Sequence, residues 1–349
     1  MPRLNLPDQV FFPVELRDLY FVETDQAGRR NRSRQPPTAP ERYRRVGNRK
    51  VIVNVLDDTV VGVVGSNYRL LTNKEAVDAA HKCCSLVFPE THSSEWQINS
   101  VDAPGTRSYC HIDLVHNTAK LEFEFVMTGA RRDVPEAFGP FIRVTNSYNG
   151  SRALAFSIGF YRKVCANGMV SPEDIVKFRF EHTSKDMKRG IKFKVAEERL
   201  ARVKQSFLDS FQALHDCPVE RVHFVPLIRS VLAIANPEAP TATAARPLSA
   251  KDKQEWKVLK ECLDTISEKY AEEQGENAYA VLNAVTELAS HPPQNRYLRR
   301  DKHTLQKLAG EWTIAFKAQC RRPSFDISKY LSELTDTKQA AAVHPRARP

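Results

Sequence analysis

Cysteine and histidine are the residues of this chain best suited to nucleophilic or metal chemistry, and their spacing organises neither. Cys83, Cys84, Cys110, Cys165, Cys217, Cys262 and Cys320 are scattered and odd in number. That usage fits free thiols in a reducing compartment better than a disulfide framework. The adjacent Cys83 and Cys84 cannot easily bridge each other, and no CxxC pair exists to hold zinc. Cys110 and His111 are neighbours, but consecutive residues of a strand point to opposite faces. Glu287 and His291 stand four apart at helical spacing and could share a face, yet His291 directly precedes Pro292 and Pro293 and reads as a helix end. Neither a GxxxxGK[ST] loop nor a GxGxxG loop is present for a nucleotide. No catalytic residue, metal site or cofactor is therefore expected, and the chain reads as a binding protein rather than an enzyme.

The cations point further. Fifty-two Lys and Arg stand against 42 Asp and Glu, a net charge of +10, and such a surplus attracts phosphate-bearing partners. The densest window is 29–50, RRNRSRQPPTAPERYRRVGNRK. It sets Arg29, Arg30, Arg32, Arg34, Arg44 and Arg45 around Tyr43, with Glu41 its one acid. Lacking apolar periodicity, it is expected to be a mobile basic arm. A second group is Arg143, Arg152, Arg162 and Lys163, flanking a turn with Tyr148 at its tip and Tyr161 beside Arg162. A third run, KDMKRGIKFK, holds Lys185, Lys188, Arg189, Lys192 and Lys194, and a fourth holds Arg296, Arg299, Arg300 and Lys302.

Binders of single-stranded nucleic acid combine a positive groove with aromatic platforms. The expectation is that these groups gather into one positive surface for nucleic acid, single-stranded DNA being favoured. The competing expectation is a protein partner, with the apolar stretch PLIRSVLAIAN (226–236) as an interface of an inhibitor or adaptor, and a homo-oligomer would be compatible with either. No apolar run approaches the ~20 residues of a membrane span. The opening MPRLNLPDQVFFPVEL is broken by Asp8 and Glu15, unlike a secretory signal. A cytoplasmic protein without a membrane partner is expected.

A chain of 349 residues suggests about two domains. The β-branched runs VIVNVL, VVGVV and YRLL predict strands from Val51 onward, and NKEAVDAAHKCCSLVF predicts a helix capped by Asn73. Residues 96–183 alternate as strands, most clearly in KLEFEFV and in ALAFSIGFY, where Leu154, Phe156, Ile158 and Phe160 share a face. Near residue 194 the period changes to that of an amphipathic helix, and further helices are predicted over 218–235, 250–274, 276–290 and 301–321. The predicted fold class is α+β: an antiparallel β-rich N-terminal half with one or two helices, and a helical C-terminal half. The expected organisation is a segment 1–50 with the arm at 29–50, a β-rich domain 51–193, a helical region 194–334 with a linker at 236–249, and a disordered tail 335–349.

The most distinctive stretch is residues 145–170. It has a turn of Asn146, Ser147, Tyr148, Asn149, Gly150 and Ser151, then a segment of Val164, Cys165, Ala166, Asn167 and Gly168 that carries a hairpin signal. With residues 58–76 and 277–291, where Asn283, Ala284, Thr286, Glu287 and His291 match, it resembles the phage/plasmid-like protein family, a domain of unknown function common on mobile elements. The resemblance spans roughly residues 50 to 310. It implies a role in DNA metabolism, recombination or evasion of host defence in a bacterial cell. Tyr148 and Asn149 replace the His and Asp usual in that family's turn, which removes the pair that could have served as metal ligands or acid–base groups. The arm at 29–50 looks like an addition to the family pattern.

Overall fold

The computed structural model of the chain describes residues 10–22, 43–118, 123–127, 134–162, 167–170, 178–180, 182, 197–237 and 249–332. The chain divides into two compact units, one formed by residues 1–117, 142–157 and 177–195, the other by 118–141, 158–176 and 196–349. The fold class is α+β, with antiparallel sheets early in the chain and helices late in it.

In the first unit, β1 (Val14–Val22), β2 (Tyr43–Asn54) and β3 (Val60–Gly65) form an antiparallel sheet in the order β1-β2-β3. Ile52, Val61 and Val64 bury one face of it against Phe12, Tyr68 and Tyr148. The helix α1 (Asn73–Val87) follows, and its buried stripe of Ala76, Ala79, Ala80, Cys83 and Val87 has the 3.6-residue period that the sequence predicts. β4 (Trp96–Asp102) and β5 (Tyr109–His116) then pair antiparallel.

The remaining strands are β6 (Phe123–Met127), β7 (Val134–Ser147), β8 (Leu154–Arg162), β9 (Asn167–Val170) and β10 (Phe178–Phe180). They join a second sheet of path β10-β8-β7-β5-β4, with β6 on β7 and β9 on β8. The residues expected to share the core face of β8, Leu154, Phe156, Ile158 and Phe160, are all buried, but Ser157 and Gly159 between them are buried too, so the burial does not alternate. Asn167 and Gly168 open β9 rather than occupy a turn.

Three local expectations are corrected. Structure does not begin at Val51: β1 covers Val14–Val22 and β2 starts at Tyr43, so Arg44 and Arg45 belong to a strand rather than an arm. YRLL (68–71) is not a strand. Asn73 does not cap α1. Thr72 does, its hydroxyl accepting from the Glu75 N–H at 3.2 Å while the Glu75 carboxylate accepts from the Thr72 N–H at 2.7 Å, a reciprocal capping box.

The second unit holds α2 (Glu197–His215), α3 (Phe224–Val231), α4 (Ala250–Gln274), α5 (Ala278–Ser290) and α6 (Lys302–Cys320). The helix predicted over 218–235 is shorter, a 3₁₀ turn at Arg221–His223 leading into α3. α5 is apolar around nearly its whole circumference, and Glu287 is its one residue that is not buried. Such a helix stabilises itself only by being surrounded, and α3, α4 and α6 pack on it. Phe138 stacks on Phe211 at 5.0 Å, Phe160 meets Phe207 at 4.5 Å, and Phe211 meets Tyr279 at 5.7 Å, which ties strands, α2 and α5 into one aromatic core. The PLIRSVLAIAN stretch belongs to that interior. Leu227, Ile228, Val231, Leu232 and Ile234 are buried, so they offer no interface.

Candidate functional site

The turn that follows β7 is a structural clamp. Asn146 Nδ2 donates to the Leu71 carbonyl at 3.0 Å and to Asn73 Oδ1 at 2.9 Å. Ser147 Oγ donates to the Arg152 carbonyl at 2.7 Å, closing the loop, and Asn149 Oδ1 accepts the Ser151 N–H at 3.0 Å. Gly150 takes φ +70°, a left-handed angle that glycine adopts without a steric penalty. Tyr148 does not stand at the tip. It is 1% exposed, its ring lies edge-on to Phe12, and its hydroxyl accepts the Asn73 N–H at 3.0 Å. Tyr68 donates to the Ser147 carbonyl and stacks on His182. A tyrosine used in this way cannot stack on a base.

Gly62 carries the other half of the clamp. A Cβ at this position would lie 2.1 Å from the Tyr148 carbonyl oxygen and 2.8 Å from Asn149 Cα. Backbone meets backbone there, and no side chain can yield. The Gly62→Ala variant should lose about 1–3 kcal/mol of unfolding free energy or more, read from the midpoint of urea denaturation. An unchanged midpoint would contradict the close approach.

Two arginines of the expected positive surface are buried and paired. Arg143 is 2% exposed and grips Asp113 with two hydrogen bonds, Nε at 2.5 Å and an Nη at 2.6 Å, while Ser100 Oγ donates to the same carboxylate at 2.9 Å. Arg162, 6% exposed, holds Glu136 in the same bidentate way at 2.6 and 2.7 Å. Charges survive burial only when paired and hydrogen-bonded, as these two are. Neither arginine can reach a phosphate.

The family-type positions on α5 are also spent internally. Asn283 Nδ2 donates to the Tyr279 carbonyl and Thr286 Oγ1 to the Asn283 carbonyl. Both residues line a cavity of about 20 Å³ with Arg162 and Tyr279, space for a single water molecule. Glu287 accepts from Lys269 Nζ at 2.7 Å and from the Tyr270 hydroxyl at 2.6 Å, fastening α5 to α4. Among the described residues no group of three or more His, Cys, Asp and Glu is placed to hold a metal ion. Burial pushes the thiols of Cys83 and Cys110 up to about 12, so neither is a nucleophile near neutral pH.

The distal half of the β1–β2 pair has a different character. β3 pairs with β2 only over Arg49–Val53. Beyond that point β1 and β2 continue as a two-stranded ribbon with Tyr20 opposite Arg45, Phe21 opposite Arg44 and Val22 opposite Tyr43. Directly opposed residues share a face and successive ones alternate. One face therefore carries Tyr20, Val22, Tyr43 and Arg45, and the other carries Phe21 and Arg44. Tyr20, Phe21 and Tyr43 are 54%, 49% and 47% exposed, an unusual concentration of open aromatic rings. Arg45 contacts Asp18 at 3.0 Å, an exposed pair that is worth little. Arg49 and Lys50 pair with no carboxylate among the described residues. Arg17 is less available, since it bonds Glu15 and Asp58.

Residues 60–312 match the domain of unknown function DUF932. The chain belongs to the DUF932 family. Comparison with curated proteins and with solved structures finds no match. The DUF932 span takes in the clamp, both buried ion pairs and α5, and it leaves β1 and β2 outside. Within the DUF932 domain, then, the residues singled out by sequence, Arg143, Tyr148 and Arg162 together with Asn146, Ser147, Gly150, Ser151, Asn283, Thr286 and Glu287, hold the fold together. Arg152 lies over the Tyr109 ring at 4.7 Å. Arg296 is paired with Asp252.

Arg29, Arg30, Arg32, Arg34, Lys163, Cys165, Lys188, Arg189 and Lys192 lie outside the described residues. The described basic and aromatic residues that do come together, exposed, are Tyr43, Arg44 and Arg45 with Tyr20 and Phe21. Sequence reasoning missed the last two. Their signal was present in LYFV, an apolar run just ahead of the basic window.

Proposed function

We propose that this DUF932 protein binds nucleic acid, single-stranded DNA in preference to duplex or RNA, through the β1–β2 ribbon, as an accessory factor of a phage or plasmid in strand annealing or recombination. The observation that carries the binding reading is the ribbon itself: three exposed aromatic rings interleaved with Arg44 and Arg45 and followed by Arg49 and Lys50. Rings of this kind stack on unpaired bases, and the cations offset the charge of the backbone between them. Arg29, Arg30, Arg32 and Arg34 fall between the two strands in sequence and lie outside the described residues. The connection to mobile elements rests on the sequence resemblance of residues 145–170 and 277–291. The preference for single strands follows from the aromatic content, since rings stack only on bases that are not already stacked in a duplex.

Filter retention at low salt tests this reading with single-stranded DNA, duplex DNA and single-stranded RNA of matched length. The expected order is single-stranded DNA tightest and duplex weakest. Absence of retention for all three ligands would overturn it.

A further inference from the structure

The charges of α4 are sorted along its length. Its first half, 250–260, holds Lys251, Lys253, Lys257 and Lys260, all exposed. The two acids there are engaged by the loop that follows α5: Asp252 pairs with Arg296, and the Glu255 carboxylate accepts the Arg296 N–H at 3.3 Å. The second half, 261–274, holds Glu261, Asp264, Glu268, Glu272 and Glu273, again exposed. Its one cation, Lys269, donates to Glu287. Across the two halves Lys257 and Glu261 meet at 3.8 Å, while Lys253, Lys260, Asp264 and Glu268 enter no ion pair among the described residues.

Nothing in the helix itself accounts for this order. A helix is stabilised by acids in its first turn and cations in its last, and an i,i+4 pair is better with the acid first. Beyond Asp252, α4 reverses both preferences. Steps of three and four residues set Lys253, Lys257, Glu261, Asp264 and Glu268 on one stripe. That stripe is clear of the buried residues Trp256, Leu259, Leu263 and Tyr270, and Val258 beside it is 51% exposed.

We propose that this stripe is an interface between two copies of the chain, which pair through α4 in antiparallel orientation. Charge complementarity selects that partner. With one helix turned end for end, the basic half of each copy lies along the acidic half of the other, and the two ends of the contact are the same, as a twofold interface requires. With the axis between Lys260 and Glu261, Lys260 of one copy faces Glu261 of the other, Lys257 faces Asp264, and Lys253 faces Glu268. A parallel pair would oppose like charges throughout. Nucleic acid would use the lysines and be repelled by the acidic half. Exposed ion pairs are individually weak and screened by salt, so the dimer is salt-sensitive.

Sedimentation equilibrium of the full, nuclease-treated chain tests this at low and high ionic strength. The expected result is twice the monomer mass at about 0.01 M salt and the monomer mass at about 1 M, where the Debye length has fallen from about 30 to about 3 Å. The variant K253E/K257E and the variant D264K/E268K, altered only at exposed positions, should each be monomeric alone at low salt. Mixed, they should form a one-to-one heterodimer, because every reversed charge then meets its opposite. A wild type that stays monomeric at low salt would overturn the proposal, and so would a mixture that does not associate. A lysine-reversed variant that dimerises as the wild type does, losing only its retention of single-stranded DNA, would also overturn it and assign the lysines to phosphate.

Discussion

Replacing Arg143 by alanine is expected to lower the unfolding free energy by about 3–5 kcal/mol, because it leaves the Asp113 carboxylate buried without its bidentate partner. Asp113 is 1% exposed and also accepts from the Ser100 hydroxyl, which cannot replace a guanidinium. The loss is one-sided. Removing both charges together, with Arg143→Met and Asp113→Leu, should restore most of the stability, since well-packed apolar residues of similar volume often equal or exceed a buried ion pair. Urea unfolding of the wild type, the single variant and the double variant gives the three numbers needed. The double variant should also bind nucleic acid as the wild type does. A single variant that loses less than about 1 kcal/mol would mean that Arg143 is solvated, and the assignment of its charge to the fold would be wrong. The same reasoning applies to Arg162 and Glu136.

The second large effect is on binding. Alanine at Tyr20, Phe21 and Tyr43 should weaken affinity for single-stranded DNA by about 1–3 kcal/mol for each stacked base, roughly 5- to 150-fold per ring. These residues are about half exposed, at 54%, 49% and 47%, so their truncation exposes no core, and the thermal midpoint should stay near that of the wild type. A stable triple variant with unchanged affinity would remove the aromatic platform from the account. If affinity fell only together with stability, the ribbon would be part of the fold rather than an interface.

Much of the fold was legible because burial imposes a period. Leu154, Phe156, Ile158 and Phe160 are all buried, in a strand where Ser157 and Gly159 between them are buried as well, and the stripe of α1 recurs every three to four residues because one side of that helix meets the core. The boundaries of α4 follow from Ser249, whose hydroxyl accepts the Asp252 N–H, and from Gly275 at φ +88°. The distal part of the β1–β2 ribbon carries no such period. Both of its faces are open to solvent, so nothing selects for alternation, and charge alone made Tyr43–Lys50 read as an arm.

The buried arginines were misread for a related reason. Composition counts Arg143 and Arg162 as surface charge, yet each lies in a strand whose neighbours are apolar (FIRV, GFYR), and Asp113 sits likewise in HIDLV. A charged residue in a strand buried on both faces signals an internal ion pair, and that signal was available. The clamp around Tyr148 was not, because its partners Gly62, Tyr68 and Asn73 are more than seventy residues away in sequence, and no local pattern encodes such a closure.

The most direct test of the ribbon as the interface is the salt dependence of single-stranded DNA binding, measured for the wild type and for a variant with alanine at Arg44, Arg45 and Arg49. Each phosphate neutralised contributes about −0.7 to the slope of log K against log salt concentration for single strands. The variant should therefore bind more weakly with a slope shallower by about 2. An identical slope and affinity in the two proteins would place the phosphate contacts elsewhere and contradict the account.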